Sequence, residues 1–190
     1  SSSGRATPAE AQAMNGAALL EYVTADYEAA LSHADKCLRL ARSRGYSFLE
    51  TSALLTRAGV AFSRGASRQG LTEVRHVQRL AEKAGDAEEL FWVEDMLGDF
   101  CRRQGSPTKA LEHHRKALAI AGENHLSQFE RVRASMSIAI DQVAAGRESE
   151  GRGPLDDAIV LSRRWAIASS LVPALFYLGW VNARSGREHE

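Results

Sequence analysis

The side chains able to carry out chemistry form no recognisable catalytic or metal-binding arrangement. The six histidines are His33, His76, His113, His114, His125 and His189. His113 and His114 are neighbours on a predicted helix and point about 100° apart, so they cannot both face one metal ion. Asp95 and Asp99 lie one turn apart, but two carboxylates alone are weak evidence for acid–base catalysis. With no HExxH, CxxC or facial carboxylate pattern, the sequence predicts no metal and no cofactor.

Two further patterns have structural explanations. The segment SPTK matches S-x-x-K, but a helix with Ser106 as N-cap and Pro107 in its first turn explains it. Cys37 follows His33 by one helical turn, yet it occupies a small packing position, which favours a thiol in the core. The glycine-rich GRESEGRGP lacks the G-K-[ST] of a phosphate-binding loop. We therefore expect no enzymatic activity.

The composition is that of an ordinary globular protein. Of the 190 residues, 44% are hydrophobic and 25% are charged. The 24 lysines and arginines balance the 24 aspartates and glutamates, so we expect no direct binding to nucleic acid or to an anionic membrane. Cys37 and Cys101 form no disulfide framework, which favours a cytoplasmic location. The uncharged run 165–181 is at the short limit for a membrane span, and the repeat pattern explains it without lipid.

An internal repeat of about forty residues runs along the chain. Four glycines, Gly65, Gly105, Gly146 and Gly186, mark the period, and Ala25 completes the series at the front. A small residue precedes each marker by seven positions: Ala18, Ala58, Gly98, Ala139 and Gly179. Two more series follow the markers, and we align them as Ala30, Val74, Ala110 and Ala158, then as Cys37, Ala81, Ala117 and Trp165. Regular spacing of this kind is typical of stacked helical repeats.

Each repeat is predicted to be a helix A, a turn and a helix B. Gly105 ends helix A of the third repeat, Ser106 caps helix B, and Pro107 begins it. Glycines at 45, 85 and 122 are expected to end the B helices. We predict four helix pairs, a ninth helix at 171–185 and no strand, with longer turns at 63–70 and 146–153.

These residues resemble the tetratricopeptide (TPR) repeat. In the third repeat the matching residues are Leu97, Gly98, Gly105, Ala110, Leu111, Ala117 and Leu118. DYEAAL at 26–31 and YLGW at 177–180 match the same motif. The forty-residue period is similar to that of the TPR-like region of MalT-type bacterial regulators.

The resemblance implies an all-α fold, a right-handed α-α superhelix (TPR-like solenoid). The solenoid would cover 9–186, after a disordered lead-in or cloning remnant at 1–8. Its repeats would be 9–45, 47–85, 87–122, 127–168 and a half-repeat at 171–186.

The resemblance also places a concave binding groove on the A helices. The candidate groove residues are Tyr22, Phe62, Trp92, Asp95, Asp99, Arg102, Arg133, Met136, Phe176 and Trp180. The alternative for Tyr22, Phe62 and Phe176 is packing between helices. The chain does not match the TPR proteins that hold chaperone tails, because Asp95 and Asp99 stand where those proteins have basic or amide groups.

The implied function is non-enzymatic binding of a protein or peptide in the groove. Helix 171–185 is apolar nearly all round and has no partner after it, which favours a fragment of a longer protein, and the period and the repeat sequences suggest a bacterial regulatory or signalling protein. The apolar helix 171–185 provides an alternative, in which the chain forms homo-oligomers and has no separate ligand.

Overall fold

The computed structural model describes residues 7–184, without the side chains of residues 168–170 and 184. The described residues form nine α-helices and no strand. The helices are α1 (Pro8–Val23), α2 (Tyr27–Arg44), α3 (Ser47–Ser63), α4 (Ser67–Ala84), α5 (Ala87–Arg103), α6 (Pro107–Glu123), α7 (Gln128–Ala144), α8 (Glu148–Arg164) and α9 (Ala168–Arg184). The predicted all-α class, with four helix pairs and an additional helix, is confirmed. None of these helices is both long and apolar enough to cross a lipid bilayer.

The turn from helix A to helix B uses the same backbone conformation in every described repeat. Ala25, Gly65, Gly105 and Gly146 all have positive φ, between 63° and 77°. Glycine adopts this left-handed region without strain because it has no Cβ. The forty-residue spacing of the markers is therefore the spacing of chain reversals. Gly186 lies outside the described residues.

The longer turns predicted at 63–70 and 146–153 are wrong. Helix α4 begins at Ser67 and α8 at Glu148, so these glycine-rich segments are largely helical. Gly70 and Gly151 lie inside helices and allow close packing: a Cβ on Gly70 would lie 2.3 Å from Phe62 Cε1. The glycines serve helix contacts there and do not form loops.

This correction also changes the alignment of the B helices. Five residues after the markers come Ala30, Gly70, Ala110 and Gly151, and twelve residues after them come Cys37, Val77, Ala117 and Ala158. All eight positions are buried. Trp165, which the earlier alignment placed in the second series, is the exposed C-cap residue of α8.

Three helix ends differ from the predictions and two agree. Gly45 and Gly85 end α2 and α4 in the left-handed conformation, as predicted. Gly122 lies within α6, which continues to Glu123. Ser106 occupies the N-cap position of α6 but its side chain makes no capping hydrogen bond. Helix α9 begins at Ala168, three residues before the predicted start.

The chain divides into two compact units, one up to Gly85 and one from Asp86. In the first unit, α1 packs on α2 and α3, and α3 packs on α2 and α4. In the second unit, α5 packs on α6 and α7, while α7 also packs on α8 and α9. Within each unit an A helix thus contacts its own B helix and the next A helix.

The core of the first unit includes the Cys37 thiol, as predicted. Its sulfur lies 3.5 Å from the Ala11 carbonyl oxygen and 3.7 Å from that of Leu49. Burial raises the pKa of the Cys37 thiol, so it stays protonated.

Candidate functional site

Four of the predicted groove residues meet in the second unit. Asp95, Asp99 and Arg102 lie on α5, and Arg133 lies on α7. Two residues that were not among the predicted groove residues, His114 on α6 and Asp141 on α7, complete the group. We call these six residues the charge cluster: Asp95, Asp99, Arg102, His114, Arg133 and Asp141.

Each arginine of the charge cluster binds one buried carboxylate and shares a third. Arg102 Nη1 donates to Asp141 Oδ1 at 2.8 Å. Arg133 Nη2 lies 2.9 Å from Asp95 Oδ2. Both arginines also pair with Asp99, whose Oδ2 lies 3.1 Å from Arg133 Nη2. Asp99 therefore links the two guanidinium groups on the more exposed side of the cluster.

His114 lies at the centre of the charge cluster and is fully buried. Its Nδ1 is 2.6 Å from Asp141 Oδ2, and its Nε2 is 3.2 Å from the carbonyl oxygen of Asp95. The ring lies directly against Gly98, where a Cβ would be 2.4 Å from Nε2. The small residue found at this repeat position must therefore be glycine in α5.

The two carboxylates of α5 differ in acidity. Burial raises the pKa of Asp95, and the nearby Arg133 only partly offsets this effect. Burial also acts to raise the pKa of Asp99, but the charges of Arg102 and Arg133 outweigh it, so that pKa is lowered. Burial acts to lower the pKa of Arg102, and Asp99 and Asp141 more than reverse this. Asp99 and Arg102 thus stabilise each other as an ion pair.

An aromatic group on α9 adjoins the charge cluster. Phe176 is 68% exposed and Trp180 is 38% exposed. Tyr177 packs edge-to-face on both, with ring centroids 5.4 Å and 6.2 Å away. Tyr177 is also close enough to Arg102 to contribute to the rise in that residue's pKa.

Trp92 contributes an aromatic ring at the start of α5. Its ring centroid lies 5.1 Å from that of Phe91 and 6.0 Å from that of Phe129 on α7. Phe129 precedes Arg133 by one helical turn, so Trp92 lies beside the charge cluster. The accessible residues of this region form what we call the A-helix strip: Trp92, Asp99, Arg102, Arg133, Phe176, Tyr177 and Trp180.

Three of the predicted groove residues are buried in the structure, so their side chains are not accessible for contact with a ligand in the isolated chain. The exposed fractions of Asp95, Met136 and Phe62 are 3%, 3% and 8%. Arg133 of α7 covers Asp95, and residues of α9 pack over Met136. In the second unit, the next A helix therefore lies over Asp95 and Met136.

Tyr22 belongs to the first unit and is half-buried. Its ring lies over Gly59, where a Cβ would be 2.8 Å from Tyr22 Cζ, and 6.3 Å from the ring of Tyr27. Packing between helices, the alternative considered for this residue, describes these contacts.

His114 and Asp141 could have been found from the sequence with the correct repeat alignment. The residues equivalent to His114 are Ala34, Val74 and Leu155, all fully buried. Asp141 is equivalent to Val60 of α3, which is also buried. A polar residue at a repeat position that is otherwise apolar is the sequence signal for such a site. The incorrectly predicted turns misaligned the B helices, so this signal was not visible at His114.

The members of the charge cluster pair with one another. Its carboxylates accept hydrogen bonds from arginines and a histidine, and Asp141 and His114 are inaccessible. Among residues 7–184, no three His, Cys, Asp or Glu side chains are placed to hold a metal ion. Asp99, Arg102 and Arg133 keep 20–24% of their side chains exposed and can contact a partner.

Comparison with known proteins bears on the fold. No protein-family model matches the chain, and no curated protein matches it in sequence. A solved structure of a Rap protein complexed with competence and sporulation factor matches with a TM-score of 0.76 at 15% identity. The match covers 94% of this chain and 54% of the Rap chain, so this chain spans about half of that protein's length. The fold is therefore a TPR-like helical repeat, as the sequence predicted.

Proposed function

We propose that this chain is a non-enzymatic scaffold that binds a protein or peptide through the A-helix strip. The main observation in support is that this strip combines accessible aromatic rings with two arginines. Aromatic residues and arginine are the side chains most often responsible for affinity at interfaces. The shared fold with a Rap protein solved in complex with competence and sporulation factor adds support.

The strip is suited to binding because its charged groups are already held in place. Arg102 and Arg133 are each fixed by a buried carboxylate, Asp141 and Asp95. A side chain that is ordered before binding loses less conformational entropy on association. Phe176 and Trp180 add apolar area that is exposed in the isolated chain.

We further propose that the chain is part of a larger bacterial regulatory or signalling protein in the cytoplasm. The forty-residue period similar to that of MalT-type regulators supports this proposal. The Rap chain, about twice as long, provides a second example of this fold within a longer protein.

A pull-down from cell lysate, quantified by mass spectrometry and carried out with the wild type and matched variants, tests the proposal. The test variant is Phe176→Ser/Trp180→Ser, and the control is Val160→Ser, which removes an apolar side chain of 63% exposure from α8. Circular dichroism checks that all forms are folded. Arg102→Glu is unsuitable because it would place a fourth carboxylate in the charge cluster.

We expect proteins that bind the wild type and the control but not the double variant. Trp92→Ala should then lower the affinity of the chain for the purified partner at least about tenfold, measured by calorimetry, as expected for a residue that anchors an interface. If the double variant retains every protein that the wild type captures, the A-helix strip is not the binding surface.

A second candidate function is self-association through α9. Four large apolar side chains of this helix are exposed by 38–68%: Val172, Leu175, Phe176 and Trp180. An apolar patch of this kind commonly marks an interaction site. Sedimentation velocity across a concentration series tests it. Mass that rises with concentration in wild type but not in Phe176→Asp supports homo-oligomers, and a constant monomer mass contradicts them.

A further inference from the structure

We propose that the outer face of α4 binds the phosphate backbone of duplex DNA. Four basic side chains lie on this face, which we call the α4 basic face: Arg68, Arg75, Arg79 and Lys83. The face belongs to the first unit and shares no residue with the A-helix strip. The proposal is therefore independent of the proposed function.

The balanced charge of the whole chain, from which no binding to nucleic acid was expected, conceals an uneven distribution. Residues 1–85 contain 11 lysines and arginines against 8 aspartates and glutamates, whereas residues 86–190 contain 13 against 16. The first unit thus has a formal charge of +3 and the second a formal charge of −3. A local surface can attract an anion even though the chain as a whole is neutral.

The four side chains of the α4 basic face form one line along the helix. At 3.6 residues per turn, positions 68, 75, 79 and 83 lie within about 80° of the helix circumference. All four side chains are exposed, and the buried residues of α4 lie on the opposite side of the helix. At a rise of about 1.5 Å per residue, the line is about 22 Å long.

No acidic side chain neutralises the α4 basic face. Within residues 7–184, none of its four side chains forms an ion pair, and Arg79 Nη2 lies 3.4 Å from His76 Nδ1, which carries no negative charge. By contrast, three other arginines of the first unit each pair with a carboxylate: Arg42, Arg57 and Arg64. The positive charge of the face is therefore available to a partner.

This arrangement of charge is unfavourable for the isolated helix. Arg75, Arg79 and Lys83 follow one another at intervals of one turn, and like charges at this spacing destabilise a helix. Arg68 lies in the first turn of α4, where the helix dipole repels a cation and no acidic residue compensates. A bound polyanion would relieve both repulsions.

The other B helices do not have this arrangement, so the fold does not require it. Each set of equivalent positions contains one basic residue and at least one acidic residue. The sets are Glu28, Asp35, Arg39 and Ser43 in α2; Thr108, Arg115, Ala119 and Glu123 in α6; and Ser149, Asp156, Val160 and Arg164 in α8.

The composition of the face favours a phosphate backbone as the partner. Helix α4 has no Phe, Tyr or Trp, and none of its large apolar side chains is exposed. Protein interfaces and membrane-bound helices depend on such residues, and single-stranded nucleic acids stack their bases on aromatic rings. Contact with the backbone of a duplex needs only positive charge.

The helical shape of the face favours DNA over RNA. The major groove of B-DNA is wide enough to admit an α-helix, whereas the major groove of duplex RNA is deep and narrow. Cations along the exposed side of one helix can therefore reach the phosphates that border the groove of DNA.

Fluorescence anisotropy with a labelled DNA duplex of about two helical turns tests the proposal on the full chain. The test variant is Arg75→Glu/Arg79→Glu. The control is Arg115→Glu/Lys116→Glu on α6, which changes the net charge by the same amount at exposed residues, one of them equivalent to Arg75. Circular dichroism checks folding. If the test variant does not fold, Arg75→Gln/Arg79→Gln, which introduces no new charge, replaces it.

We expect the affinity of wild type and control for DNA to fall roughly 100-fold between about 50 and 200 mM salt, as for four phosphate contacts. The test variant should bind at least about tenfold more weakly at the lower salt concentration, with about half the salt dependence. Absence of binding by wild type, or equal losses in the two variants, overturns the proposal. So does equally tight binding of wild type to duplex RNA or to phosphatidylglycerol vesicles.

Discussion

The second and third repeats have the same backbone plan but fill it with opposite chemistry. On the A helices, Leu55, Gly59 and Phe62 of α3 correspond to Asp95, Asp99 and Arg102 of α5, and on the B helices Val74 corresponds to His114. Both sets are buried or half-buried. The repeat thus fixes which positions are covered. It does not fix their polarity, provided that each polar group finds a partner.

Ion pairs in the first unit show the more usual arrangement. Arg57 pairs with Asp35 at 2.6 Å and with Glu73 at 2.7 Å, but all three side chains remain 15–43% exposed. Water competes for such groups, so each pair contributes little to stability. In the charge cluster the carboxylates of Asp95 and Asp141 are 4% and 0% exposed, so the loss of a partner of either one has larger consequences.

The largest loss of stability is expected when a buried residue loses its charged partner. Asp141→Ala should lower the free energy of unfolding by about 3–5 kcal/mol, because it removes the carboxylate that the buried His114 contacts and one of the two carboxylates that pair with Arg102. The equivalent change in the first unit, Val60→Ala, should cost about 2 kcal/mol through lost packing alone. Urea unfolding at pH 7 measures both. Equal losses would show that the cluster contributes no more than an apolar core.

A double-mutant cycle tests whether the effects of Gly98 and His114 on stability are coupled. Gly98→Ala should destabilise by about 1–3 kcal/mol, because its Cβ would overlap the His114 ring. Gly98→Ala/His114→Val restores the Ala58 and Val74 combination of the second repeat. We expect the second change to remove most of the penalty caused by the alanine, which thermal unfolding would detect as a coupling energy.

Gly153→Ala is the matched control for the alanine substitution. This helical glycine of α8 has open space around its missing Cβ. Alanine there should raise the free energy of unfolding by up to about 1 kcal/mol through helix propensity. A loss of stability at both glycines would assign the Gly98 effect to the backbone and not to His114.

Lowering the pH should show how much the ionised Asp99 contributes to the free energy of unfolding. Because its pKa is lowered in the folded chain, its stabilising effect is present above the ordinary aspartate pKa of about 3.9 and is lost as the pH falls below it. Asp99→Asn should cost about 2 kcal/mol at pH 7, as for a hydrogen bond to a charged group. Urea unfolding from pH 7 to pH 3 should show the wild type and the variant converging. A gap that is constant with pH would contradict the ion-pair explanation.

The smallest expected effect lies in the first unit. Glu73→Gln removes one charge from the Arg57 network and should cost no more than about 1 kcal/mol, because the pair is partly exposed. Addition of 0.5 M salt should reduce even this difference. A cost comparable to that of Asp141→Ala would remove the contrast between exposed and buried ion pairs.

The sequence by itself determined the helices, their pairing and their period. These features depend on local chemistry: the left-handed residue that follows each A helix and small residues at fixed helical positions. Sequence reasoning failed where a glycine has two possible uses. Gly70 and Gly151 were interpreted as loop residues, yet they lie inside helices because a neighbouring side chain or backbone needs the space of a Cβ.

Only the tertiary structure decided which side chains are accessible and which are joined. The A-helix positions of a TPR repeat suggest a groove, but α7 and α9 cover Asp95 and Met136. His114 and Asp141 lie 27 residues apart in the sequence and meet only when α6 packs on α7. The energy of a buried charge depends on the partners within a few ångströms of it. Those partners come from three helices, so the repeat alignment can mark His114 and Asp141 as unusual but cannot show that they are paired.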